Sequence, residues 1–550
     1  MTVLKQNSYL RRGIPATMAA RASLKNQVDW SLYLVTDSTA AILGDKDIVQ
    51  VVEQAIQGGV TVVQYRDKHA DTGAMIDVAT KLHTVTQKYN VPLLINDRLD
   101  VCQAMGAEGV HIGQDDMDCT QARKILGPDA IIGVTASSED EARKAIEDGA
   151  DYLGIGTTFA TPTKTDTKHI IGTQGLQQIL AACDTGTEKS VPCVAIGSIN
   201  ASNVQRVLHQ SAYGSNRLNG VAVVSAIVAA IDSQAAAKFL SELIKSAPEK
   251  FYASVPPNIQ PVTDLKGLMA QVPGIIKSHA SSSVLCHNMT NTVVQNFVAN
   301  VCLATGASPI MSEIIAEAPD LAKLGGALVI NMGTATPEKL NSFTAGMRAY
   351  NAVGAPVLLD PVGGGATAHR RNTVKTLLAS GFFSVIKGNE NEISSVAGAS
   401  NVQQRGVDSG PSASTSEEKA DLVKRLAQRE HCIVLMTGET DYLSDGVRSV
   451  AINNGSPYLG KITGAGCALG AVIASYLAVH REDKFLAALA GMMHYEMAAE
   501  RAEARQDCNG PGSFISAFLD ELYLLGQDVC SGGPGVKDMI VERAKVQFIS

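Results

Sequence analysis

From Leu32 to Val224 the chain repeats one unit, a short β-branched or apolar run followed by an Ala-, Lys- and Glu-containing stretch suited to a helix. Eight runs occur: LYLVTD from Leu32, TVVQYR from Thr61, PLLIN from Pro92, GVHI from Gly109, IIGV from Ile131, DYLGI from Asp151, PCVAI from Pro192 and VAVV from Val221. Strands separated by helices pair in parallel, because a helical crossover returns the chain to the sheet in the same direction. Eight parallel strands close a barrel, so a (β/α)8 TIM barrel is expected.

The repeat breaks at APEKFYASVPPNIQPV, where Pro256, Pro257 and Pro261 cannot sit in a helix interior or a central strand. Beyond it GALVIN from Gly326, PVLLD from Pro356, FSVIKG from Phe383 and CIVLMTG from Cys432 again alternate with helical stretches. Their wider spacing and the strongly helical end predict a doubly wound three-layer α/β/α domain and not a second barrel. At 550 residues the chain exceeds what one core supports. The division expected is an extension at 1–29, a barrel at 30–245, a linker at 246–265 and a second domain at 266–550. Residues 399–415, rich in Ser and Gly, read as a surface insertion without chemistry.

A net charge of −8 argues against a nucleic-acid or membrane-surface binder, which needs a clustered basic field. No apolar run is long enough and free enough of polar interruption to span a bilayer. Ten scattered Cys without a CxxC pair fit reduced thiols in an intracellular protein, and the cytoplasm is the expected location. Lys5, Arg11, Arg12, Arg21 and Lys25 precede the first acid, Asp29, which is also the composition of a mitochondrial transit peptide. A disordered extension accounts for the same residues, and both readings stay open.

Functional groups of a barrel belong at the C-terminal ends of its strands. The second run ends in Gln64, Tyr65, Arg66, Asp67 and Lys68, the third in Asn96, Asp97 and Arg98. The fourth leads into Gly113, Gln114, Asp115 and Asp116, the sixth into Thr161, Pro162, Thr163 and Lys164. Cations that offset oxyanion charge, beside carboxylates that hold Mg2+, suit a metal-bound diphosphate. Gly197 with Ser198, and Val224 with Ser225, close the seventh and eighth runs, where barrels commonly bind phosphate through backbone N–H groups. Two phosphorylated ligands are implied.

The ordered motifs LYLVTDS, VQYRDK, INDRLDV, VHIGQDD, GVTASS, ATPTKTD, AIGSI and VSAI resemble those of thiamine-phosphate synthases over roughly Leu32 to Ala236. The resemblance implies condensation of hydroxymethylpyrimidine diphosphate with hydroxyethylthiazole phosphate, releasing pyrophosphate. It assigns Gln64, Arg66, Lys68, Asn96, Thr135 and Lys164 to the pyrimidine diphosphate, with Asp97 and Asp116 as Mg2+ ligands. Thr161, Thr163, Gly197, Ser198, Val224 and Ser225 fall to the thiazole phosphate. Thr135 stands where the family usually has Ser, and Ser198 where it usually has Gly. The charges imply that pyrophosphate departs first and that the thiazole nitrogen captures the methylene cation, with no protein nucleophile.

In the second half, Thr463-Gly464-Ala465-Gly466-Cys467 precedes an apolar helical run, so a helix N-terminus there offers N–H donors to an anion. Asp360 opens DPVGGGAT, and Lys387 precedes an Asn389–Glu392 pair that resembles the NxxE element of ribokinase-like kinases. No Walker-type P-loop is present. CHNMTNTVVQNFVANVCLATGASPIMS, DPVGGGAT, IKGNENE, MTGETDYLSDG, ITGAGCALGAVIA and GPGSF resemble hydroxyethylthiazole kinases from roughly Val272 onward.

That resemblance implies phosphorylation of the thiazole alcohol by ATP. Asn291, Met311 and Gly464 would meet the thiazole and Lys387 and Thr437 the ATP. Asp360 and Glu392 would serve the Mg2+ and nucleotide network, and Cys467 holds the catalytic position. A homo-oligomer built on a kinase trimer is implied, with only small molecules as partners. Two alternatives are weighed for this half: a hydroxymethylpyrimidine-phosphate kinase, which shares a Gly-x-Gly-Cys turn, and a non-catalytic thiamine-pathway sensor. The intact pairs Asp97/Asp116 and Asp360/Glu392 argue against the sensor, DPVGGGAT and the Asn291 region against the pyrimidine kinase.

Overall fold

The computed structural model describes residues 25, 27–159, 170–183, 191–213, 216–246, 261–333, 335–378, 380–398, 414–532 and 535–549. They belong to two compact units, Met1–Pro248 and Glu249–Ser550. Most of the basic extension, the proline-rich linker from 247 to 260, the insertion from 399 to 413 and the predicted ligands Thr161, Thr163 and Lys164 lie outside the described residues.

In the first unit β1 (Leu32–Val35), β2 (Val62–Tyr65), β3 (Leu93–Asn96), β4 (Gly109–Ile112), β5 (Ile131–Ala136), β6 (Tyr152–Ile155), β7 (Cys193–Ile196) and β8 (Gly220–Val223) close a parallel barrel in that order. The alternation of strand side chains divides each strand between two cores. Leu34, Val63, Ile95 and Leu153 point out and pack under the surrounding helices. Tyr33, Val62, Leu94, Tyr152 and Val194 point in, where Trp30 plugs the interior. Helix starts follow from capping: Asp47 accepts from Val49 N, and Ser138 from Glu141 N.

The second unit is a nine-stranded mixed sheet: β9 (Leu285–Met289), β10 (Ser308–Ile310), β11 (Ala327–Asn331), β12 (Val357–Asp360), β13 (Val385–Asn389), β14 (Ile433–Thr437), β15 (Asp441–Ser444), β16 (Ser449–Ile452) and β17 (Val546–Phe548). Their spatial order is β10-β9-β11-β12-β13-β14-β15-β16-β17, parallel as far as β14 and antiparallel beyond. Alternation again splits the strands, with Leu358 and Val385 on one face and Val357, Leu359 and Ile386 on the other. The first face is covered by the helices Ala465–Val479, Lys484–Glu503 and Pro511–Ser531, which carry much of the largest apolar cluster. This is the expected three-layer arrangement, extended by an antiparallel edge. Among the described residues no helix is long and apolar enough to cross a membrane.

Candidate active sites

In the barrel, Gln64, Arg66, Asn96 and Thr135 come from β2, β3 and β5, and Gly197, Ser198, Val224 and Ser225 from the ends of β7 and β8. All eight line one cavity of about 360 Å³. Gly197 holds φ +115, and a Cβ there would fall 2.7 Å from Thr158 N, so the chain can bring backbone to this wall only with glycine. Ser198 takes a left-handed φ of +50 despite its side chain.

Lys68, Asp97 and Asp116 gather beside this cavity. Lys68 Nζ lies 3.0 Å from Asp97 Oδ2, and Gly113 N donates to Asp116 Oδ2 at 2.8 Å. Asp97 also adopts a left-handed φ of +60 at the end of β3. Burial and the facing Asp97 carboxyl push Asp116 above the usual carboxylate range. Two facing carboxyls with one lysine make a site whose charge suits a hard cation with oxygen ligands.

Three inward side chains absent from the predicted set, Tyr33, His111 and Tyr152, bond to wall residues and to one another, and Tyr33 and His111 also line the cavity. Gln64 Nε2 donates to the Tyr33 hydroxyl at 2.7 Å, and Tyr33 and Tyr152 hydroxyls lie 2.8 Å apart. His111 Nδ1 is 2.8 Å from the Tyr152 hydroxyl and its Nε2 is 2.9 Å from Thr135 Oγ1. Space for the two rings comes from glycines. A Cβ on Gly133 would fall 2.0 Å from Tyr152 Cζ, and one on Gly154 2.8 Å from His111 Cε1. A polar ring side chain inside a strand, with a glycine on the neighbouring strand, is the signal that was available.

In the second unit, Asp360 ends β12, Lys387 lies on β13 and Cys467 sits in the first turn of the helix Ala465–Val479. Asn331, at the end of β11 and absent from the predicted set, joins them. Its Nδ2 donates to Asp360 Oδ2 at 2.9 Å and to Cys467 Sγ at 3.1 Å, while its Oδ1 accepts from Asn291 Nδ2 at 3.0 Å. Lys387 Nζ lies 3.4 Å from Asp360 Oδ2. A polar residue at the C-terminal end of a parallel strand is where such folds keep ligand contacts, which is the signal that could have found Asn331.

Glu392 sits at the start of the helix Glu390–Ala397, whose capping box it closes with Asn389. Its two carboxyl oxygens accept from Gly363 N at 2.8 Å and Asn389 N at 2.9 Å, tying the Asp360 loop to β13. Burial and then the Asp360 charge raise Glu392 to about 7. Burial also raises Asp360, against the pull of Lys387 and Asn331. Lys387 is drawn down by burial, but the Asp360 charge opposite leads the effects that leave it raised overall. Asp360 Oδ1 is buried without a hydrogen-bond partner, an oxygen placed to accept a further ligand.

The Cys467 thiol is raised to about 11, chiefly by burial and next by Asp360, so it is protonated at neutral pH. Gly464 caps its helix at φ +92, and a Cβ there would meet Val294 Cγ1 at 2.8 Å. Tyr495 donates to Ala465 O at 2.8 Å and pins the turn from below. Thr437 ends β14 in register with Asn389. Met311 lies one residue beyond β10, half-buried against the same apolar cluster as Cys467. The structure thus draws Asn291, Asp360, Lys387, Glu392 and Cys467 into one network, while Thr437 and Met311 make no direct bond to it.

A parallel barrel with a cationic and acidic mouth, followed by a mixed three-layer unit with a glycine turn at a buried helix start, defines a fused two-enzyme transferase. A family model described as thiamine monophosphate synthase matches residues 32–227, and one described as the hydroxyethylthiazole kinase family matches 276–528. The probable thiamine biosynthetic bifunctional enzyme of Schizosaccharomyces pombe is 42% identical over 95% of this chain and 99% of its own, and the thiamine biosynthetic bifunctional enzyme of Saccharomyces cerevisiae is 37% identical over 91% and 96%. The chain belongs to the family of thiamine biosynthetic bifunctional enzymes, with an N-terminal thiamine-phosphate synthase and a C-terminal hydroxyethylthiazole kinase. A thiamine-phosphate synthase of Chloroflexus aurantiacus is 46% identical over 42% of this chain and 99% of its own.

Proposed function

We propose that the barrel cavity binds hydroxymethylpyrimidine diphosphate through Gln64, Arg66, Lys68, Asn96 and Thr135, and the thiazole phosphate through Gly197, Ser198, Val224 and Ser225. The observation that carries this reading is the gathering of eight of these residues, from five strand ends, on one cavity. Lys164, Thr161 and Thr163 are assigned by resemblance alone. The C–O bond of the diphosphate breaks, pyrophosphate leaves, and the thiazole nitrogen attacks the methylene carbon. Arg66 and Lys68 offset the charge on the departing group, which is where the transition state differs most from the bound substrate.

Asp97 and Asp116 would hold Mg2+, which supplies charge neutralisation to the pyrophosphate oxygens. Among the described residues no group of three or more His, Cys, Asp or Glu gathers as a metal cage, so the cation would be shared with substrate oxygens. Calorimetric titration of Mg2+ into the chain with pyrophosphate tests this. Asp116→Asn is expected to weaken Mg2+ binding about tenfold or more, and an unchanged affinity would remove the assignment.

In the kinase unit, the thiazole hydroxyl oxygen attacks the γ-phosphorus of ATP, ADP leaves and the hydroxyl proton is released, while the backbone N–H groups of the Gly464–Cys467 turn donate to the phosphoryl oxygens in transfer. Lys387 and Thr437 contact the ATP phosphates, and Asp360 with Glu392 would hold Mg2+, the partnerless Asp360 Oδ1 being the oxygen free to do so. Asn291, Met311 and Gly464 seat the thiazole. Cys467 contacts the substrate hydroxyl as a thiol, not as a standing thiolate. The kinase resemblance carries the homo-oligomer built on a kinase trimer, an interface that could cover the exposed Val293, Ile314 and Ile315, and sedimentation would reveal it as a multiple of three chains. A cytoplasmic location is the companion proposal, tested by a C-terminal fluorescent tag.

A further inference from the structure

We propose that Tyr152 and His111 are positioning residues: together with Tyr33 they form a hydrogen-bond relay that sets which atoms of Gln64 and Thr135 face the pyrimidine. The proposal rests on the reading of the cavity as the pyrimidine site and goes beyond it to the polarity of the wall.

The direction of the relay follows from counting donors. Gln64 gives an amide hydrogen to the Tyr33 oxygen at 2.7 Å, so the Tyr33 proton must go elsewhere, and the Tyr152 oxygen lies 2.8 Å away. Tyr152 then gives its own proton to His111 Nδ1 at 2.8 Å. An imidazole that accepts at Nδ1 carries its hydrogen on Nε2, which donates to Thr135 Oγ1 at 2.9 Å. Tyr33, Tyr152 and His111 each pass one proton to the next group along the line. Burial pushes both phenols well above their ordinary range, so neither loses the proton that the relay requires.

Two consequences appear at the cavity, whose wall includes both ends of the relay. Gln64, one amide N–H given to Tyr33, is held in one orientation, which fixes where its carbonyl oxygen stands as an acceptor. Thr135, its oxygen already accepting from His111, is left with its O–H as a donor. An acceptor at Gln64 and a donor at Thr135, lining the same cavity, match a heterocycle that carries an exocyclic amino group and an unprotonated ring nitrogen, and mismatch the oxo form, in which donor and acceptor are exchanged. The relay cannot slip, because the rings fill space that only Gly133 and Gly154 leave open, and Trp30 stacks on Tyr152 at 4.1 Å between ring centroids.

The test assays synthase turnover by the full chain with the 4-amino pyrimidine diphosphate and with its 4-oxo counterpart. Tyr152→Phe deletes one hydroxyl of the relay and leaves the ring. It is expected to raise KM for the amino substrate roughly tenfold and to lower the amino-over-oxo preference by a similar factor. Combined with Thr135→Val it should cost little more than Thr135→Val alone, because both changes break one chain of bonds. An amino-over-oxo preference within about twofold of wild type, or strictly additive losses, would overturn the relay while leaving the pyrimidine site standing. If Tyr152→Phe does not fold, Tyr33→Phe is read in the same way. Failure of the underlying reading has its own signature, an unchanged pyrimidine KM in both Gln64→Ala and Thr135→Val, and that result overturns the relay as well.

Discussion

Asp360 Oδ2 and Cys467 Sγ share one donor, the Asn331 side-chain nitrogen, at 2.9 and 3.1 Å. The thiol and the carboxyl are thereby held in a fixed relation at the start of the apolar helix. Asn331→Ala removes that bridge and leaves a buried carboxyl oxygen short of a donor. Loss of about 1–3 kcal/mol of kinase-unit stability is expected, with kinase kcat down roughly ten- to a hundredfold. Synthase turnover by the same chain should be unchanged; equal losses in both activities would contradict the assignment.

The raised Cys467 thiol predicts a pH behaviour. Because burial and Asp360 lift it to about 11, the thiolate fraction keeps rising through the range where an ordinary thiol is fully ionised. Alkylation at Cys467, followed by mass spectrometry, should accelerate about tenfold per pH unit from 8 to 10. A plateau just above pH 9 would show an ordinary thiol. The kinase pH profile should likewise carry no limb from this group near neutrality.

The barrel's glycines divide into two kinds. Gly133→Ala drives a methyl group against Tyr152 at 2.0 Å and should destabilise the barrel by about 1–3 kcal/mol or more. Gly73→Ala, on a helix with nothing within 4 Å, should gain up to about 1 kcal/mol. Thermal unfolding of the two variants checks the contrast, and similar shifts would refute it.

Eight barrel strands were legible because each is a short, mainly apolar run buried between the covering helices and the barrel interior. The parallel core of the second sheet, β11 to β14, was legible for the same reason. What escaped were its edges. β9 reads LCHNM, polar side chains that stay buried by bonding inward, as His287 does to Ser312 O at 2.9 Å. β15 opens with Asp441, and β17 is three residues whose partner, β16, lies about ninety residues earlier. Thr415 was read as the end of a polar insertion, yet its hydroxyl and Glu418 form the capping box of the helix Ser416–Glu430. At the sites, charged residues after strands were conspicuous. Tyr33, His111 and Tyr152 were not, because the glycines and polar partners that mark them stand on other strands, distant in sequence, and Asn331 closes an otherwise apolar run.

Two buried histidines are expected to weaken the kinase unit in acid. His494 is bonded to the Tyr476 hydroxyl at 2.6 Å and Leu522 O at 2.8 Å, and His279 to Ser475 Oγ at 2.7 Å. Burial lowers them from 6.5 to about 4 and about 3. A lowered value means the unfolded chain takes the proton first, so their stability is present above about pH 6.5 and is lost as pH falls toward 4, on the order of 3 kcal/mol each. Glu392, raised to about 7, works in the opposite direction over the same window. The histidine part is therefore read as a difference: the fall in Tm between pH 6.5 and 4 should be shallower in His494→Gln than in wild type. Equal slopes would show that His494 titrates normally in the folded chain.

One chain carries two separable activities, and thiamine phosphate formation from ATP, Mg2+, hydroxyethylthiazole and hydroxymethylpyrimidine diphosphate is the measurement that separates them. Wild type should make thiamine phosphate from these four. Asp97→Ala should stop at thiazole phosphate, and Asp360→Ala should make thiamine phosphate only when thiazole phosphate is added. Undiminished synthase turnover in Asp97→Ala, or undiminished thiazole phosphorylation in Asp360→Ala, would contradict the two sites as assigned.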